Sequence, residues 1–297
     1  MTNRSLQPAL PKAMYVDPEQ FAKERDQLLY DSWFCVGRLD DLGLHLPGRL
    51  AVLDVVGESI LVTSDRVARL HAAYNVCRHR GSQVVPTEPG TSPTTCVVSA
   101  LRCPYHSWTY DLDGRLLRAP HTEGIDDFRA EEFGLHEVGV RTWGGFVFVH
   151  LTPERATGFD IDMAGFGERL ARYPLADLAT GLSFTYDVAA NYKVLAENYN
   201  ECYHCGPVHP ELTRLVPSFG GGGVGLDWED GIAHRDGAWT FTMTGTTNRL
   251  PFPALDETER SRHKGELIYP NLWLSCAADH VAAFVLWPLD TASTRIR

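Results

Sequence analysis

The sequence predicts an α+β protein, with an all-β domain set between an N-terminal helical segment and a mixed helix–strand region. Three observations carry this. Asp17-Pro18-Glu19-Gln20 opens a stretch with helical spacing. From 49 to 150, short β-branched runs alternate with turn residues. Beyond 155, helix and strand signals mix. The divisions read from these changes are 1–40, 41–155 and 156–297.

The elements follow in order. Asp17 has the chemistry of an N-cap, Pro18 suits a first turn and Gln20 stands three residues after the cap. Phe21, Arg25, Leu28, Leu29 and Trp33 then recur at helical spacing. Segments 50–56 and 60–63 flank Gly57-Glu58 and predict a hairpin. Segment 146–149 reads as a strand. In the last region, 166–173 predicts a helix and 182–188 a strand. Segment 194–203 predicts a helix that stops before Pro207, and 239–244 and 282–287 predict strands. Four glycines, 220–223, run into Val224-Gly225 and read as a mobile loop.

A chain of 297 residues can bury a sizeable core. With 44% hydrophobic and 22% charged residues, its composition is that of an ordinary globular protein. Lys+Arg is 27 and Asp+Glu is 38, a net charge of −11, which argues against nucleic acid or an anionic membrane as partner. The best apolar run, 281–289, contains Pro288 and is too short to span a bilayer. The first residues have no apolar signal-peptide core, so the expected location is cytoplasmic and the thiols are expected reduced. Seven cysteines do not form an even disulfide framework, and several sit beside histidines, which points to metal.

Cys77-Arg78-His79 and Cys103-Pro104-Tyr105-His106 each offer one thiolate and one imidazole. Two cysteines on one iron and two histidines on the other is the ligand set of a Rieske 2Fe–2S centre. A zinc site of Cys2His2 type is the alternative, but zinc ligands usually come in like pairs, C-x2-4-C and H-x3-5-H, whereas here each half mixes the two. A second constellation lies at 198–210. Glu201 and His204 are i and i+3, hence on one face of a helix, and His209 follows the Gly206-Pro207 break. Two histidines and a carboxylate with open positions form the facial triad of non-haem Fe(II) oxygenases, where dioxygen and substrate meet. Cys202-x2-Cys205 is open to a redox or zinc reading; both cysteines are taken as packing residues.

The loops Tyr74-Asn75-Val76-Cys77-Arg78-His79-Arg80-Gly81 and Cys103-Pro104-Tyr105-His106-Ser107-Trp108-Thr109-Tyr110 resemble those of the α subunits of Rieske non-haem iron oxygenases. Respiratory Rieske proteins match less well, since their extra loop cysteines correspond to Ser82 and Tyr105. Ser107 stands where the family usually has Gly, and the gap before Cys103 carries Cys96, read as a bystander in a surface insertion. Asn191-Tyr192-Lys193, Glu197-Asn198, Glu201, His204 and His209-Pro210 resemble the family's catalytic helix. The resemblance implies a Rieske domain joined to a helix-grip, START-like catalytic domain. It implies His204 and His209 as iron ligands and Glu201, with Asn198, as catalytic residues. Glu201 takes the place of the carboxylate that bridges to a Rieske histidine of a neighbouring subunit in a homotrimer.

The family's third iron ligand is an Asp near the C-terminus, beyond where this sequence stops, so the catalytic domain is expected incomplete. Asp279 and Asp290 are candidates without motif support. The segments around Glu201 and His209 are similar to the branch acting on choline, carnitine and glycine betaine. A quaternary ammonium calls for an aromatic cage, for which Trp239, Phe241, Tyr269 and Trp287 are candidates. The implied activity is O2-dependent hydroxylation and N-demethylation. Its electrons come from NAD(P)H through a separate flavin/iron–sulfur reductase, because no G-x-G-x-x-G follows a strand here. The alternatives are an aromatic ring-hydroxylating oxygenase and a Rieske electron carrier without a working iron site.

Overall fold

Asp17 caps the first regular helix, accepting the Glu19 N–H at 2.9 Å, with Pro18 in the first turn. In this computed structural model, which describes residues 8–87, 94–156, 158–223 and 226–297, short α1 (Ala13–Val16) leads into α2 (Pro18–Glu24). Residues 1–7, residues 88–93 of the stretch between the two Cys/His loops, and Val224-Gly225 at the end of the glycine run lie outside the described residues. A wider turn, Arg25–Leu29, delivers the chain to β1 (Phe34–Arg38). That strand corrects the reading of 1–40 as helical, since it pairs antiparallel with a strand ending the β region. Its Phe34-Cys35-Val36 run is buried throughout, so no period-2 alternation marks it.

Strands β2 (Arg49–Val55) and β3 (Glu58–Ser64) form the expected hairpin, with Gly57 at φ +97°, a conformation glycine adopts freely. β4 (Leu70–Tyr74) and β5 (Thr94–Val97) extend this sheet. Cys96 is in β5, a largely exposed edge strand, opposite Leu50. β6 (Leu101–Arg102), β7 (Thr109–Tyr110) and β8 (Leu116–Arg118) make a separate three-stranded sheet. β9 (Glu137–Trp143) and β10 (Phe146–His150) complete the larger one, ordered β1-β10-β9-β4-β3-β2-β5.

Helix α3 (Phe159–Arg169) begins earlier than the expected 166–173 and stops short of Tyr173. Phe159 and Met163, one turn apart, are its buried face, while Gly165 and Gly167 dilute the helical signal. A six-stranded sheet follows, built from β11 (Tyr186–Val188), β12 (Ile232–Ala233), β13 (Arg262–Ile268), β14 (Leu272–Cys276), β15 (Val281–Pro288) and β16 (Thr294–Ile296). Its order is β11-β16-β15-β14-β13-β12. Only the last three residues of segment 182–188 are strand. Segment 239–244 is not one: the Trp239 and Thr240 N–H groups both turn to the Gly245 carbonyl, which closes a local loop with no partner strand. The helix expected at 194–203 is α4 (Tyr192–Tyr199), which begins and ends earlier; short α5 (Cys205–Val208), which includes Pro207, and α6 (Pro210–Leu215) follow it.

One buried core joins the two large sheets through Phe34, Phe148, Leu272, Leu274 and Trp287. Asn271 stitches them at the backbone. Its Oδ1 accepts the Cys35 N–H at 2.8 Å, and its Nδ2 donates to the carbonyls of Cys35 and Leu286 at 2.9 and 3.0 Å. Among the described residues no helix is long and apolar enough to cross a membrane.

Candidate metal centres

Each Cys/His loop is a tight turn closed on its own cysteine. The Gly81 N–H donates to the Cys77 carbonyl, and the Ser107 N–H donates to the Cys103 carbonyl, both at 3.0 Å. Ser107 sits at φ +62°, where side chains other than Gly are strained, which accounts for a Gly preference at that position. The two thiols are buried, Cys77 at 3% and Cys103 at 1% exposure, while His79 and His106 are exposed. The imidazoles meet at 4.6 Å between ring centroids, and His79 stacks on Trp108 at 5.1 Å. Sulfur inside and nitrogen at the surface is the asymmetry a Rieske cluster requires of its ligands, and these four residues fit it. Tyr110 adds a contact the sequence reading did not assign: its hydroxyl lies 3.2 Å from Cys77 Sγ while accepting the Arg78 N–H. Burial, and then Cys77 itself, push the Tyr110 phenol well up, so it stays an O–H donor towards sulfur.

The second site is carried by α4 and the break after it. Asn191 caps α4, accepting the Lys193 N–H at 3.0 Å and donating to the carbonyls of Tyr15 and Thr291. Tyr15 also donates to Glu197, and Lys193 and Tyr192 both reach Glu24. The N-terminal segment thus grips the helix along its length. Glu201 and His204 do not lie on one helical face as predicted, because α4 ends at Tyr199 and both occupy the turn before α5. The turn still brings them together: Glu201 Oε1 lies 2.5 Å from His204 Nδ1, and the Tyr203 N–H donates to Oε2. Burial pushes the Glu201 carboxyl up, but the bonds from His204 and Tyr203 outweigh it and hold it below the ordinary carboxylate value. With Nδ1–H donated to Glu201, Nε2 of His204 keeps its lone pair for a metal. Asn198 Nδ2 lies 3.3 Å from the same Nδ1. His209, between α5 and α6, brings its ring to 5.3 Å from that of His204. Cys202 and Cys205 are not separate packing residues; the same turn joins them in a disulfide, Cα–Cα 4.9 Å.

Residues 32–129 match the family described as Rieske 2Fe-2S domain, and residues 175–297 match ring hydroxylating alpha subunit (catalytic domain). The glycine betaine monooxygenase oxygenase subunit of Chromohalobacter salexigens is 36% identical, over 97% of this chain and 69% of that one. The chain belongs to the Rieske oxygenases. The same-named subunit of Pseudomonas aeruginosa is 29% identical to this oxygenase, over 97% of it and 72% of the relative. In structure it is similar to the quaternary ammonium Rieske monooxygenase CntA, solved with L-carnitine. That likeness has a TM-score of 0.71 at 26% identity, and covers 96% of this chain and 73% of that one.

For a Rieske oxygenase the third iron ligand matters, and neither candidate meets the histidines. The Asp279 carboxylate is enclosed by Thr240, Arg249 and His280, and Asp290 caps its own turn through the Ala292 N–H. Among the described residues no three His, Cys, Asp or Glu side chains converge as on one ion. A two-iron cluster divides its ligands two and two, so this bears only on the mononuclear site, where two imidazoles meet without a third ligand. The four candidate cage residues do not assemble either. Trp287, 7% exposed, packs edge-on to Phe34 in the core, and no two of the four are in ring contact among the described residues. Phe241 instead faces His263 and His234, at 4.6 and 6.0 Å, while Trp239 packs at the edge of the main core and Tyr269 is exposed. Closer to α4, Tyr199 stacks on Trp273 at 4.6 Å, with Phe284 beyond. Those rings come from α4, β14 and β15, so no local motif could have gathered them.

Proposed function

We propose that the chain is a terminal oxygenase that hydroxylates an N-methyl carbon of a small quaternary amine, glycine betaine being the leading candidate. The Glu201–His204–His209 arrangement on a Rieske oxygenase fold supports this, together with the names of the similar monooxygenases. The Rieske unit is taken as 41–155 and the catalytic unit as 156–297. Cys77, Cys103, His79 and His106 would hold the 2Fe–2S cluster, and His204 and His209 a mononuclear iron. Bound there, the two centres supply electrons and O2 activation. The remaining chemistry belongs to the side chains. Glu201 fixes the His204 tautomer and, 44% exposed at its side chain, is accessible to a neighbouring subunit of a trimer. The methyl carbon that is hydroxylated leaves as formaldehyde, and the tertiary amine remains. A separate NAD(P)H-fed reductase supplies two electrons per turnover.

The test is formaldehyde release. Supplied with a Rieske oxygenase reductase, NADH and glycine betaine, the purified protein should release one formaldehyde per O2 consumed. O2 uptake with an aromatic hydrocarbon yielding a diol, and none with glycine betaine, would replace this reading with ring hydroxylation.

A further inference from the structure

Behind the His204–His209 turn lies a pair of imidazoles that nothing above uses. His234 follows β12 and His263 is in β13; they are 9% and 4% exposed, and their rings stack at 5.6 Å with planes 10° apart. Both ring nitrogens of His234 and Nδ1 of His263 are buried without a hydrogen-bond partner. Every imidazole carries at least one N–H, so the pair includes donors in need of an acceptor, and orphaned buried polar atoms call for an occupant. The walls are rings: Phe241 is 4.6 Å from His263, Phe219 is 5.5 Å from it, and Trp228 is 6.1 Å from Phe219. Phe219 shares its cluster with Cys202 and Cys205, which bracket His204, so it connects the imidazole pair to the iron-site turn.

Among the described residues no cation sits between these rings. Lys264 alternates to the other side of β13, bonding the Arg169 carbonyl and Glu259. Arg262 turns to the carbonyls of Asp230 and Gly231, and Arg235 to those of Asp236 and Thr244. A simple anion buried here would lack a countercharge. A zwitterion carries its own: its carboxylate takes the imidazole N–H groups while its N-methyl groups lie on ring faces. We infer that His234 and His263 hold the carboxylate of a zwitterionic betaine, and so select it over a purely cationic amine. This rests on the quaternary-amine reading above.

The test is isothermal titration of the intact, metal-loaded protein with glycine betaine and with choline, which lacks the carboxylate. His234→Phe should weaken glycine betaine roughly tenfold or more while leaving choline within about twofold, as expected for a lost hydrogen bond to a charged group. His234→Gln, which restores an N–H donor, should recover most of the loss. Equal losses for both probes, or no change for either, would overturn the inference while leaving the quaternary-amine reading standing. Wild-type protein that binds neither probe would overturn that reading, and the inference with it.

Discussion

Glu201 and His204 show how much one hydrogen bond decides. By accepting the Nδ1–H, Glu201 keeps the proton on that nitrogen and leaves Nε2 of His204 for metal, and the rest of the turn serves to hold that geometry. His234 and His263 are the opposite case, imidazoles kept from protonation by burial. Burial pulls His234 down to about 4 and His263 to about 3, with the neighbouring His234 adding to the effect on the latter. Below the ordinary histidine value near 6.5 the unfolded chain therefore binds protons that the folded chain refuses, so stability falls as pH drops from there towards 4. Between pH 7.5 and 5.5 the wild type should lose about 3 kcal/mol more stability than a His234→Phe/His263→Phe double variant, read from urea midpoints. Parallel pH profiles would show that the pair titrates normally. Cys77, His79, Cys103 and His106 were legible because each pair is local, and its spacing alone puts both ligands on one turn. His234, His263 and Tyr110 were not, because their partners come from other strands and only the fold introduces them.

Among the elements, strands with a clear partner were readable and irregular segments were not. The β2–β3 hairpin, β10 and β15 all show in the sequence as β-branched runs. Segment 239–244 has the same alternation yet closes on Gly245, since alternation describes a side-chain pattern and cannot supply a neighbouring strand. β1 was missed for the converse reason, being buried too completely to alternate. Its attachment to the β13–β14 turn depends on Asn271, whose three side-chain hydrogen bonds are all buried. Asn271→Ala leaves the Cys35 N–H and the Cys35 and Leu286 carbonyls without these partners. The expected loss is about 3 kcal/mol in denaturant unfolding, with the Rieske visible spectrum of the folded protein retained. A loss under about 1 kcal/mol would mean that the apolar core alone holds the sheets together.

At the scale of the whole molecule, one chain combines a Rieske β unit with a histidine turn beside an antiparallel six-stranded sheet. The two Cys/His loops and the segment carrying Glu201, His204 and His209 placed it in this class before any coordinates, and the matches over 32–129 and 175–297 agree. The rings of the proposed substrate end stayed illegible, because they are gathered from α4, β13, β14, β15 and the loops between them. The central claim is that two distinct iron centres share this chain, one held by Cys77, His79, Cys103 and His106, the other by His204 and His209. Iron analysis combined with electron paramagnetic resonance of the reduced protein tests it most directly, with wild type beside His204→Ala. Wild type should hold about three irons per chain and the variant about two, with the Rieske signal the same in both. A variant that keeps the full wild-type iron content, or that loses the Rieske signal along with its iron, would contradict the assignment.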